Sequence, residues 1–502
     1  MPQATIDVLV NEPIAEINPN IYGHFMEHLG RCVEGGCWVG EGSQIPHDAG
    51  VRADVVHALK AINAPVIRWP GGCFADDYHW RDGIGPRAER PRTINMHWGD
   101  VVETNEFGTH EFMSFCRSVG AQPYFCGNVG SGTPSELRNW VEYCNYPRDS
   151  TLARERAANG AAEPFNVRYW GVGNENWGCG GNFTPEDYGT EYRKFATYLR
   201  NWGAAPLVPI ACGPNGNDLD WTRRFFTKLK KDYGRGPSIH AYSAHYYCGT
   251  AGTATDYTES QWYELLHKAV QMEPLVVQQR ALMDAFDPER KIGLIVDEWG
   301  TWHPPTPGHN PRFLWQQNTV RDALVAALTL DIFNRHADKV AMANIAQTIN
   351  VLQALLLTDE HQMIKTPTYH VYDLYKDHMG GSAVRFLSKS ATIESGSGAT
   401  SSPLHQLTGS ASVIGKLLTL TLVNSSATDA VEARLTLHGG TLSGAVEAAG
   451  LSYGSGSIHA HNTFEDPHAV TVNQALEGVF VSADSIVRLP PASVTRLSVG
   501  LD

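Results

Sequence analysis

The stretch Val167-Arg168-Tyr169-Trp170-Gly171-Val172-Gly173-Asn174-Glu175 is a run of β-forming residues that ends on a carboxylate. A second stretch of the same design, Ile292-Gly293-Leu294-Ile295-Val296-Asp297-Glu298-Trp299, lies further along the chain. Desolvation opposes the charge of an acid at the end of a buried strand, so placing one there costs stability unless it serves a purpose. The two runs sit three repeats apart in a series of strands and helices. In a closed barrel that spacing sets their acids across the mouth from one another.

Working outward from these runs, eight strand candidates appear, at 20–25, 65–69, 122–128, 167–173, 207–212, 240–246, 292–297 and 339–346. Helical periodicity fills the gaps at 51–62, 106–119, 219–233, 261–286 and 318–336. Another helix opens at Thr184-Pro185-Glu186, an N-cap followed by Pro and an acid in the first turn. Alternating β and α units predict an α/β fold, a (β/α)8 TIM barrel with long loops. A doubly wound sheet is the rival, but no GxGxxG follows any of the strands. After about Ser382 short alternating runs take over at 416–423, 431–437, 469–472, 485–489 and 494–499, separated by Gly, Ser and Thr. They predict a C-terminal antiparallel β-sandwich, jelly-roll-like in character. The expected division is residues 1–18, 19–381 and 382–502. The strand-like run at 5–10 is expected to pair with the sandwich.

Composition narrows the function. The 502 residues are 42% hydrophobic and 18% charged, a globular balance. A net charge of −14, spread rather than blocked, disfavours a nucleic-acid or anionic-membrane partner. Thirteen Trp and nineteen Tyr supply core and, at some positions, faces for sugar rings. The N-terminus reads without a signal peptide, and no run is long enough to span a membrane. Nine scattered Cys with no CxxC pair predict free thiols in a reducing cytoplasm. Cys32 and Cys37 read as buried thiols.

The chemistry should lie at the C-terminal ends of the strands. Polar residues gather there: Glu27, Arg68, Cys73, Asn128, Asn174, Glu175, His245, Tyr246, Glu298 and Gln347. Glycoside hydrolysis needs an acid to protonate the leaving oxygen and a carboxylate to attack carbon or activate water. Glu175 and Glu298 are the expected pair. Arg68 is placed to hold one of them ionised, and Asn174 to donate to a sugar hydroxyl.

Seven segments together resemble glycoside hydrolase family 51, the α-L-arabinofuranosidases. They are GHFMEHLG at 23–30, RWPGGCF at 68–74, DGIGP at 82–86, TNEFG at 104–108, GVGNENWGCGG at 171–181, DEW at 297–299 and ANIAQTINVL at 343–352. The resemblance implies a retaining, exo-acting enzyme with Glu175 as acid/base and Glu298 as nucleophile. It implies a sugar subsite of Glu27, Cys73, Trp98, Asn174, Tyr246, Trp302 and Gln347. It further implies arabinan or arabinoxylan oligosaccharides as substrates, no cofactor or metal, and a homo-oligomer such as a hexamer. The Pro-rich segment 302–315 is expected to shape the leaving-group side.

Two other readings compete. A β-1,4-endoglucanase or xylanase uses the same barrel and the same pair of acids. His24-Phe25-Met26-Glu27-His28 spells the H-x-x-E-H of a zinc metallopeptidase, which requires a helix to bring both His to one face. Pro19, Gly23 and Gly30 around it favour a strand end and loop instead.

Overall fold

A computed structural model describes residues 4–502 except 205, 233–238, 250, 395–401, 455 and 482–484. Eight parallel strands close into a barrel in sequence order: β1 Gly23–Phe25, β2 Val66–Trp69, β3 Gln122–Gly127, β4 Tyr169–Val172, β5 Val208–Ala211, β6 Ala241–Gly249, β7 Gly293–Trp302 and β8 Val340–Ala346. Strands buried on both faces are continuous apolar runs, which is why all eight coincide with runs read from sequence. The first is shorter than expected. Asn18 accepts from the amide of Asn20, Pro19 has no amide to give, and Pro19–Tyr22 turns as a 3-10 helix before β1 begins. Gly23 then allows β1 to lie against β8, where a Cβ would meet Asn344 Oδ1 at 2.3 Å.

Helices cover the outside. Thr184 caps Pro185–Ala196 by accepting from the amide of Asp187. The helix read at 219–233 spans Leu219–Asp232, and its last expected residue, Tyr233, lies outside the described residues. The single helix expected over 261–286 is two, Glu259–Ala269 and Met272–Asp284. Pro274 explains the break: it cannot donate to the carbonyl of Val270, and its ring crowds that oxygen.

β6 and β7 outrun the other strands and stay paired as far as Gly249 and Trp302, raising a wall beside the barrel mouth. Their register slips once. Ala244 opposes Val296 but His245 opposes Glu298, leaving Asp297 as the extra residue of a bulge. Alternation would turn adjacent residues to opposite faces, whereas a bulge lets both face inward. Asp297 accepts from Tyr124 (2.7 Å) and Asn344 (2.9 Å), while Glu298 accepts from Arg68 (2.8 Å).

Ten of the other strands form one sheet, and the rest pair as two-stranded ribbons. Strand Ala4–Glu16 lies inside it, antiparallel to Ser382–Lys389 and parallel to Val431–His438. Its Ile6 and Val8 join Leu418, Leu420 and Leu422 in a separate apolar core. Helix Val320–Arg335, buried along nearly all its length, joins the barrel to this sheet. Asp331 on that helix accepts from Ser410 (2.7 Å), Thr421 and Tyr375, and burial pushes its carboxyl up to about 6.

Candidate active site

Glu298 is held from two sides. Arg68, fully buried, donates to Oε1 at 2.8 Å, and Tyr247 donates to Oε2 at 2.8 Å. Burial alone would raise the Glu298 pKa. The charges of His245 and Arg68 and the two hydrogen bonds outweigh it and hold the carboxyl below its ordinary range. Arg68 is itself fixed by Asn174 Oδ1, by Asp297 at 3.4 Å and by the face of Phe25.

Glu175 stands opposite. Its Oε1 lies 3.0 Å from His245 Nδ1, and that nitrogen lies 3.6 Å from Glu298 Oε2. Burial raises its pKa, and the Glu298 charge adds to the rise against the pull of His245. One carboxylate thus favours its proton and the other its charge. One oxygen of each and the His245 nitrogen lie within 4.8 Å of one another.

Glu27 forms a third corner. It accepts from Trp98 Nε1 (2.9 Å), the Phe74 amide (3.0 Å) and Gln347 Nε2 (3.0 Å). Burial and the Glu298 charge nevertheless push its carboxyl up to about 7. Trp98 reaches the site from the short hairpin Thr93–Asn95 and Val101–Glu103. Glu27, Cys73, Trp98, Glu175, Glu298, Trp302 and Gln347 share one cavity with Gly72 and Tyr247. Asn174 Nδ2 and Gln347 Oε1 are buried without a hydrogen-bond partner among the described residues, and Asn174 Nδ2 lies 3.5 Å from where a Cβ on Gly72 would be.

Two expectations need correction. Tyr246 does not face this cavity; its hydroxyl donates to the Lys268 carbonyl at 2.6 Å. With His245 turned inward, a period of two sends Tyr246 outward and Tyr247 inward. Cys73 is not a free thiol but is disulfide-bonded to Cys179, 106 residues away. The other seven, Cys32 and Cys37 included, are free and buried. The H-x-x-E-H run is no zinc site: it lies on β1 and the loop after it, and His28 bonds Glu103 and Trp69 while His24 packs on Tyr372.

Sequence reading also missed Asp76. Its Oδ1 accepts the amides of Val129 (2.7 Å) and Gly130 (3.0 Å), and its Oδ2 accepts the amide of Asn174 (2.9 Å). It thereby ties the turn after β2 to the loops after β3 and β4. The signal was the second acid-bearing half of the RWPGGCFAD run, which gives no hint of its partners.

Known proteins share this design. Residues 58–263 match the family model of the α-L-arabinofuranosidase 1 domain, and residues 297–493 that of the α-L-arabinofuranosidase C-terminal domain. The chain is 41% identical to an intracellular exo-α-L-arabinofuranosidase of Bacteroides ovatus, over 99% of this chain and 95% of that one. The crystal structure of the family 51 arabinofuranosidase from Xanthomonas axonopodis pv. citri superposes with a TM-score of 0.93 at 41% identity, covering 99% of this chain and 100% of that one. An α-L-arabinofuranosidase from Thermotoga maritima, crystallised as an arabinose complex, gives 0.85 at 30% identity, with 99% and 100% covered. A bifunctional glucanase-xylanase from a metagenome library shares the fold alone, at 14% identity.

Proposed function

The chain belongs to glycoside hydrolase family 51, the α-L-arabinofuranosidases, and we propose that it works by double displacement with retention of anomeric configuration. The observation that carries this is the pair of carboxylates with opposed proton affinities, oxygens within 4.8 Å. Retaining pairs stand about 5–5.5 Å apart, and inverting pairs roughly 6.5–9.5 Å.

In this reading Glu298 attacks the anomeric carbon as the glycosidic C–O bond breaks. Glu175 gives its proton to the departing oxygen. The arabinosyl group is then esterified to Glu298. Glu175, now a base, takes a proton from water, and the water oxygen attacks the same carbon and frees Glu298. Arg68 and Tyr247 stabilise the Glu298 carboxylate before attack and after release. Asn174 Nδ2, Glu27 and Gln347 are placed to hold the sugar hydroxyls, with Trp98 and Trp302 as walls.

A small cavity beside the two carboxylates, lined in part by Leu314 and Leu352, supports removal of terminal residues rather than cleavage within a chain. Side chains of arabinan or arabinoxylan oligosaccharides are the substrates this favours. The intracellular relative supports a cytoplasmic site of action. Exposed Ile94, Met96 and Val102 on the Trp98 hairpin support self-association, with a hexamer as the reading to test by sedimentation. The mechanism is tested by proton NMR of a nitrophenyl α-L-arabinofuranoside digest. The first-formed arabinose should be the α anomer; the β anomer would refute retention.

A further inference from the structure

The disulfide lies beside the catalytic pair, and it has no part in the mechanism above. Cys73 opens the turn after β2, and Cys179 lies in the loop after β4. Their sulfurs are 3.9 and 3.6 Å from Glu175 Oε2. Cys179 is exposed, so a small reductant reaches it, whereas the seven free thiols are buried.

We propose that reduction of this disulfide creates a binding site for a soft divalent cation of the zinc class, with Cys73, Cys179 and Glu175 as three ligands. Tetrahedral zinc holds thiolate at about 2.3 Å and carboxylate at about 2.0 Å, which sets sulfur and oxygen about 3.5 Å apart. Both sulfur–oxygen separations are already close to that edge. Only the sulfur–sulfur edge must open, and reduction opens it. The loops stay in place when it does, because Asp76 holds the Asn174 amide and Asn176 Nδ2 donates to the Gly180 carbonyl. Three protein ligands and a water complete the usual open zinc site.

The chemistry balances. Two equivalents of a thiol reductant give up their hydrogens, leaving Cys73 and Cys179 as thiols and the reductant as its own disulfide. The cation then displaces both thiol protons. A cation bound there takes the carboxylate that donates the proton in catalysis, so the loaded enzyme is off and the disulfide form is protected. That consequence rests on the proposed role of Glu175; the binding site does not.

Cobalt is the probe, since thiolate ligands give it an intense charge-transfer absorption that carboxylate and imidazole do not. The reduced full-length protein should bind one equivalent with that absorption, and the disulfide form should show none. C179S should weaken binding by roughly 100-fold or more, beyond the 10–100-fold expected for an outer partner. Zinc should displace the cobalt and abolish turnover. Four results would overturn the proposal: no disulfide by mass spectrometry in the oxidised protein, no cobalt uptake after both thiols titrate, uptake without thiolate absorption, or uptake retained by C179S. The third would place the metal on Glu175, His245 and Glu298 instead. Zinc binding without inhibition would refute the switch. Inactivity of the metal-free reduced protein would also refute the switch, since reduction alone would then turn the enzyme off, and the cobalt spectrum would still decide the site.

Discussion

Tyr247→Phe isolates one hydrogen bond. The hydroxyl donates to Glu298 Oε2 at 2.8 Å, and the ring's edge contact with Trp302 survives in Phe. A hydrogen bond to a charged group is worth about 1.5–3 kcal/mol. It stabilises the ionised carboxylate, so its loss raises the Glu298 pKa, by about one to two units at 1.36 kcal/mol per unit. Arg68 and His245 remain, which argues for the lower end. The acid limb of kcat/KM reports protonation of the nucleophile. It should move about one unit toward higher pH, and the maximum should fall about tenfold. The assay is hydrolysis of a nitrophenyl α-L-arabinofuranoside across pH, with Tyr246→Phe as the control. That variant loses the bond to the Lys268 carbonyl, and its acid limb should stay put. An unmoved limb in Tyr247→Phe, or a larger shift in Tyr246→Phe, would refute the assignment of Tyr247 to the nucleophile.

Other substitutions probe the same geometry. Glu298→Ala should lose nearly all turnover, and a mechanism-based covalent inhibitor should label Glu298 in the unmodified enzyme; mass spectrometry placing the label on another carboxylate would sink the nucleophile. Glu175 has a raised pKa and acts protonated, so activity should fall as pH rises through that value. Glu175→Ala should flatten the alkaline limb, spare activated aryl substrates and respond to azide; equal losses on all substrates, with no azide effect, would count against the acid/base role. Gly72→Ala puts a Cβ 2.9 Å from Glu298 Oε1, and a misplaced nucleophile of this kind costs about 100-fold. Its kcat/KM should drop by that order while thermal melting changes little, and full activity would show that the carboxylate is free to move.

The barrel was legible because buried parallel strands are unbroken β-forming runs, and each acid stood at the end of one. What could not be read was which neighbour of a pair turns inward. Asp297 and Glu298 both do so only because of a bulge whose cause is the register with β6, a tertiary fact. Tyr246 and Tyr247 are chemically alike, so only the phase of β6 tells them apart. The Cys73–Cys179 bond joins positions 106 residues apart, and an odd cysteine count points the other way. Some signals were present and unread. Thr133-Pro134 followed by Glu136 caps helix Pro134–Asn145 just as Thr184-Pro185 caps its counterpart, and Pro274 marks where one helix becomes two.

Strand Ala4–Glu16 has a consequence for how the chain is made. Thr5 pairs with Lys389, and the same strand pairs with Val431–His438. During synthesis it leaves the ribosome long before its partners exist. The whole barrel is therefore produced while an apolar strand waits with both edges bare, the state most open to wrong pairing. Contacts this distant in sequence also slow folding. A fragment starting near Ser382 would lack an internal strand of its own sheet. The C-terminal unit should therefore be insoluble when expressed alone and recover when residues 4–16 are supplied in trans or fused to its end.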